Sequence, residues 1–141
     1  METPVANAPE SWPTGRLLST AARMLERAWD DELKDHGLSH AVVIVLNHLA
    51  VAEELSQTEL AGLARVQPQT MSRTVERMLR DGLVTREPSA VDRRRVVVRL
   101  TDAGRAAWDT VQDLERSVLP PSTETDALRA ALLRIVTPAP R

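Results

Sequence analysis

The sequence predicts a mainly α-helical chain with one small β-hairpin, the hairpin following directly on a pair of short helices. Three observations lead there. Apolar residues recur at helical spacing in four blocks before Gly82 and in two more after Leu100. Two short runs, 83–86 and 96–100, are rich in branched residues, as half-buried strands are. Charge is also segregated: between Arg65 and Arg99 nine arginines stand against four acids, Glu76, Asp81, Glu87 and Asp92. That block carries +5, so the rest of a chain whose net charge is −2 sums to −7. An acidic chain that gathers its positive charge in one place presents a local electrostatic footprint.

Taken in order, residues 1–13 hold Pro4, Pro9 and Pro13 with no apolar period and read as a flexible tail, as do residues 138–141. Between them, 14–137 is expected to form one domain, since 141 residues suffice for a real core but not for two large ones. Helix 1 carries Leu17, Leu18, Ala21, Met24, Leu25, Ala28, Trp29 and Leu33, and ends near Gly37, which suits a left-handed cap. Ser39 starts helix 2, with Val42, Val43, Val45, Leu46 and Leu49. Ser56-Gln57-Thr58-Glu59 is a capping box that opens helix 3, which holds Leu60, Leu63 and Ala64. Pro68 fits the first turn of helix 4, where a missing amide costs nothing, and the helix runs to Asp81 before Gly82. The short link between helices 3 and 4 is the turn of a helix-turn-helix. Strands at 83–86 and 96–100, joined by 87–95, make a hairpin wing. Thr101 caps helix 5, with Ala103, Ala106, Ala107, Trp108, Val111, Leu114 and Val118, until Pro120-Pro121 stops it. Helix 6, from about Ser122, places Leu128, Ala131, Leu132, Ile135 and Val136 on one side.

Helix 4 should pack through Met71, Val75, Met78 and Leu79. Its other face holds Thr70, Arg73 and Arg77, with Gln67, Gln69 and Ser72 around the helix start. A recognition helix enters the major groove N-terminal end first, where Gln can read adenine, Arg can read guanine, and hydroxyls and the helix terminus can hold phosphate. On the wing, Arg93, Arg94 and Arg95 can lie along phosphates or place one guanidinium in a narrow minor groove. Asp92 is out of place there unless it orients a neighbouring arginine. Arginines on a lone amphipathic helix usually only solvate it, and a charged hairpin tip can simply block edge pairing. The succession of capped short helix, polar-faced helix and basic hairpin favours the duplex-DNA reading.

Composition narrows the classes further. No run approaches the roughly 18–20 apolar residues that span a bilayer, and the N-terminus lacks a secretory pattern, so a soluble, cytoplasmic protein with no membrane partner is expected. There is no cysteine, which removes disulfides, thiolate nucleophiles and Cys-zinc sites. The aromatics are Trp12, Trp29 and Trp108 alone, too few for base-stacking platforms, which favours duplex over single-stranded partners. His36 and His40 are four apart, but Gly37 breaks the helical face between them and His48 adds no Cys partner, so neither metal nor cofactor is expected. With no Gly-rich phosphate loop, nucleophile elbow or Ser-His-Asp set, neither is an enzyme.

The run Thr70-Met71-Ser72-Arg73, then Val75, Gly82-Leu83-Val84, Arg86, Asp92-Arg93-Arg94 and Leu100-Thr101-Asp102-Ala103-Gly104 resembles the multiple antibiotic resistance regulator (MarR) family of bacterial transcription factors. The resemblance covers about 17–136, with its specific motifs between Leu60 and Gly104. It implies a recognition helix in the major groove and a wing arginine, two residues after the Asp, in the minor groove. That arginine is Arg94, with Asp92 as its orienting partner; the unusual loop Pro88-Ser89-Ala90-Val91 leaves Arg93 and Arg95 as alternatives. It further implies a homodimer built from helices at 14–36 and 101–137 around a DNA-binding part at 39–100, and hence a palindromic operator. The expected role is a repressor released by a small aromatic or anionic effector in a cleft near the dimer helices. No effector residue is assigned; Trp29, His40 and Val43 suit such a cleft by position, though each also fits a core role. Two other classes remain in view, a winged-helix protein–protein adaptor and a non-specific architectural DNA-binding protein. Basic side chains on helix 4 and the wing argue against the first, and Gln67, Gln69 and Arg73 against the second.

Overall fold

Most helix starts in this chain fall where a side chain accepts from a first-turn amide or where a proline lacks the amide that would go unpaired. The computed structural model describes residues 8–140, so the expected tail residues 1–7 and 141 lie outside the described residues. Helix α1 (Thr14–Asp35) leads into α2 (His40–Ala52), where Ser39 Oγ accepts from the Val42 amide at 3.3 Å. A two-residue strand, β1 (Glu54–Leu55), precedes α3 (Gln57–Ala64), and α4 (Pro68–Arg80) opens on its proline. The predicted capping box is formed: the Glu59 amide donates to Ser56 Oγ at 3.1 Å, and the Ser56 amide to Glu59 Oε2 at 3.0 Å. After β2 (Val84–Pro88) and β3 (Val96–Leu100) come α5 (Asp102–Ser117) and α6 (Asp126–Val136).

The turns are set by backbone conformation. Gly37 and Gly82 have φ of 69° and 73°, the left-handed region that ends a helix cheaply only for glycine. Arg65 takes the same role at the end of α3, with φ 55° and ψ 44°, and the following Val66 amide returns to the Ala61 carbonyl at 3.1 Å. A side chain there costs about 1 kcal/mol. Arg65→Gly is therefore expected to raise the unfolding free energy by about 0.5 kcal/mol once the greater freedom of unfolded glycine is counted. A fall in stability on denaturant titration would show that the arginine side chain, not the backbone, holds the turn.

The sheet is antiparallel in the order β1-β3-β2. Val84 pairs with Leu100, Pro88 with Val96, and Glu54 with Arg99. Proline has no amide to donate, and Pro88 is placed at the end of an edge strand, where that loss is tolerated. The central strand buries Val97, Val98 and Leu100 against a core that includes Leu33, Val45, Leu46, Leu49, Leu60, Val75, Met78 and Val111. All of these belong to one compact unit, residues 32–114; residues 8–31 with 115–140 make a second. The boundaries between the units fall inside α1 and α5, and Leu33 and Val111, on those helices, are fully buried. Among the described residues no helix is long and apolar enough to cross a membrane.

Two expectations need correction, and one element was not expected. Strand β1 carries no pattern of its own, being two residues long. Of the apolar residues expected to pack on α3, Leu60 is buried but Leu63 is exposed, and Ala61 is buried instead. The last helix starts at Asp126 rather than Ser122, because Pro121–Thr123 form a 3-10 turn and Thr125 is the cap, its hydroxyl accepting from the Leu128 amide at 3.1 Å.

The Leu-Thr-x-x-Gly sequence has a structural reason. Thr101 Oγ1 donates to the Gly82 carbonyl at 2.6 Å and accepts from the Gly104 amide at 3.0 Å, while the Thr101 amide donates to Leu83 O at 3.0 Å. One residue thus ties the end of β3 and the start of α5 to the exit of α4.

Candidate nucleic-acid interface

The exposed face of α4 is made by its packing face. Met71, Val75 and Met78 are buried and Leu79 is half-buried, which turns the opposite side of the helix to solvent. Gln67, Gln69, Thr70 and Arg73 are exposed around the first two turns, and Ser72 is half-buried. Gln67 caps the helix through its backbone alone, leaving its amide group for another partner. Arg77 is placed differently from the rest. It lies about 12 Å along the axis from Gln69, and its Nε is 3.8 Å from Asp81 Oδ2. It also lines a hollow of about 480 Å³ with His36, Gly37, Leu38 and Asp81, so it does not cluster with the N-terminal group.

Ion pairing sorts the nine arginines of the basic block. Arg86 meets Glu76 at 2.8 Å, Arg99 pairs with Glu54, and Arg95 pairs with Glu59. Arg99 Nε also lies 3.3 Å from Glu87 Oε1, off the donor axis, so that contact is an ion pair and not a hydrogen bond. Such half-exposed pairs add little stability but fix side-chain direction. Arg65, Arg73, Arg80 and Arg93 have no ion-pair partner among the described residues.

The wing separates its three consecutive arginines. Arg95 Nη2 donates to Glu59 Oε1, so the capping-box glutamate of α3 serves two partners. Arg94 extends into solvent, its side chain 94% exposed, while its amide donates to Asp92 Oδ1 at 3.1 Å and its Nε lies 3.4 Å from the same oxygen. The Asp92 carboxylate therefore contacts Arg94 and not the guanidinium of Arg93 or Arg95, although the Asp92 carbonyl accepts from the Arg95 amide at 3.0 Å. Below the tip, Ser89 is the one buried polar residue among those described, and its hydroxyl donates to Glu54 Oε1 at 2.7 Å. That hydrogen bond, foremost, and then the charges of Arg99 and Arg95 hold the Glu54 carboxyl below its ordinary value, while partial burial pushes the other way. A lowered pKa means that the charged form is favoured in the fold. Its contribution is full at neutral pH and is lost only as pH falls through the depressed value.

Sequence reasoning missed Glu54, Glu59 and Ser89 as supports of the wing. Glu59 carried a signal as part of a capping box, but its second partner is 36 residues away. A second hollow, of about 490 Å³, is lined by Leu49, Glu53, Arg99, Arg105, Trp108 and Asp109. Trp29, His40 and Val43 line neither hollow; Val43 is a core residue and His40 is exposed.

Comparison with known proteins agrees with this geometry. A family model described as the MarR family matches residues 36–95. The transcriptional activatory protein BadR of Rhodopseudomonas palustris is 32% identical over 97 residues, 67% of this chain and 55% of BadR. The chain thus spans little more than half the length of the curated relatives it matches. Among solved structures, the reduced form of MarR from E. coli superimposes with a TM-score of 0.68 at 27% identity, covering 90% of this chain and 98% of that one. A MarR mutant from E. coli complexed with operator DNA gives a TM-score of 0.60 at 27% identity, over 92% and 96% of the two chains.

Proposed function

The chain belongs to the MarR family, and from that membership we propose that it is a sequence-specific, duplex-DNA-binding transcriptional regulator acting as a homodimer on a palindromic operator. The observation that carries the reading is the division of the arginines: Arg86, Arg95 and Arg99 are taken up by carboxylates of other elements, whereas Arg73 on α4 has no ion-pair partner among the described residues and Arg94 extends into solvent beside Asp92. In this reading Gln67, Gln69, Thr70 and Arg73 face base edges, Ser72 lies beside them, and Arg77 is a backbone contact farther along the helix. Arg94, oriented by Asp92, enters the minor groove, with Arg93 on the flanking phosphates. The MarR mutant complexed with operator DNA supports the partner class. An adaptor would be expected to lose basic side chains from α4 and the wing, and both keep theirs.

The dimer is supported by apolar surface left uncovered in one chain. No residue of α6 is buried, and Leu133, Ile135 and Val136 are exposed, as are Leu17, Leu18 and Met24 of α1. A second copy covering them would form the hydrophobic interface of a permanent dimer. Two-fold symmetry then sets operator half-sites about 34–36 Å apart. Repression by operator occupancy, relieved by a small aromatic or anionic effector that changes the spacing of the two α4 helices, is the regulatory reading. The name of BadR favours activation as the second reading.

Selection from a random duplex pool, followed by footprinting at several salt concentrations, tests the proposal. We expect protection of a palindrome, preferred over random DNA by about a thousandfold or more, and light scattering at twice the 15.6 kDa chain mass. Uniform binding that collapses with salt would instead mark an architectural protein. No binding at low salt would mark an adaptor.

A further inference from the structure

Placing a guanidinium in a groove about 6 Å wide requires the wing to be aimed, and a side chain extended into solvent, as that of Arg94 is, does not aim it. We propose that Ser89 and Glu54 are positioning residues that set the direction of the wing toward the minor groove, an inference that rests on the DNA-binding reading.

The Ser89 hydroxyl has one proton and two lone pairs, and all three are engaged. It donates to Glu54 Oε1 at 2.7 Å and accepts from the amides of Val91 at 3.2 Å and Asp92 at 3.4 Å. The second of those amides belongs to the residue whose carboxylate holds Arg94. One buried hydroxyl therefore connects the tip of the wing to its base. Glu54 extends the chain of contacts, because it sits on β1 while the wing grows from β2 and β3. Its Oε2 accepts from Arg99 of β3, so the carboxylate spans the strand between wing and β1. The Arg95–Glu59 pair then ties the wing to α3, the helix that shares a turn with α4. The wing is thus referenced to the body that carries α4 through contacts made within the protein.

Ser89→Ala, Glu54→Ala and Glu54→Gln, made in the full chain, test this on duplexes selected by the unmodified protein. Hydroxyl-radical cleavage reports the minor groove, and dimethyl sulfate reports guanine N7 in the major groove. In Ser89→Ala we expect about tenfold weaker binding, loss of the wing's hydroxyl-radical protection, retained guanine N7 protection, and faster hydrogen exchange at the Val91 and Asp92 amides. Glu54→Ala should behave alike. Glu54→Gln, whose amide oxygen still accepts from Ser89, should recover most of the wing protection. Unchanged exchange and footprint in Ser89→Ala would overturn the proposal, as would both protections fading together. Faster exchange with an unchanged footprint would also overturn it, showing that the contact orders the wing without aiming it. If the unmodified protein protects no DNA, the DNA-binding reading fails and the aiming role with it, while the exchange data still report what orders the wing.

Discussion

Gly104→Ala is expected to destabilise the 32–114 unit by about 3 kcal/mol or more, the upper end for an overpacking substitution. A Cβ at this position would lie 2.1 Å from the Leu83 carbonyl oxygen and 3.1 Å from its carbon. The obstacle is backbone and not the end of a flexible side chain. That carbonyl is also held, since it accepts from the Thr101 amide at 3.0 Å, so relief requires moving α5 away from the exit of α4. Gly62→Ala is the matched control: it lies within α3 with nothing within 4 Å of the added carbon, and should gain up to about 1 kcal/mol from helix propensity. Urea titration of the two variants should move the midpoint in opposite directions. A Gly104→Ala protein as stable as the parent would refute the close approach of α5 to Leu83.

Arg73→Ala should have the largest effect on sequence preference. Arg73 is exposed on the first two turns of α4, where a recognition helix meets base edges, and no carboxylate competes for its guanidinium among the described residues. Loss of one base-reading arginine costs about 1–3 kcal/mol per half-site. On a two-fold operator the two losses add to roughly 2–6 kcal/mol where the sites are independent. Binding to random duplex should change little, and discrimination should relax at one base position in each half-site. Arg80→Ala, which removes an arginine with no ion-pair partner among the described residues from the last turn of the same helix, is the comparison, because a phosphate contact weakens all sequences alike. Equal losses on operator and random DNA for Arg73→Ala would assign Arg73 to phosphate and move base reading to Gln67 and Gln69.

Much of this arrangement was legible before the fold was known, because its signals are local. The capping box at Ser56 and Glu59, the proline that opens α4, the glycines at 37 and 82, and the two branched runs each act within about four residues, the range over which helix caps and turns are decided. The pairing of Asp92 with Arg94 was implied by the family resemblance alone, since the residues by themselves left Arg93 and Arg95 as alternatives. By contrast, β1 could not be read, since two residues hold no period and become a strand only by pairing with β3 across 45 positions. Ser89 gave no sign of burial, and Leu63, which looked like a core position, is exposed while Ala61 is covered.

Signals along the chain thus set the order of helices and strands, the family, and the arginines that are candidates for DNA. Which arginines meet a carboxylate follows from packing. Arg95 and Arg99 have the same chemistry as Arg73 and Arg94, but Glu59 and Glu54 come to meet them from 36 and 45 residues away. Capping and periodicity are set by neighbours along the chain, whereas the partner of a charge is set by which remote elements the buried core brings alongside it.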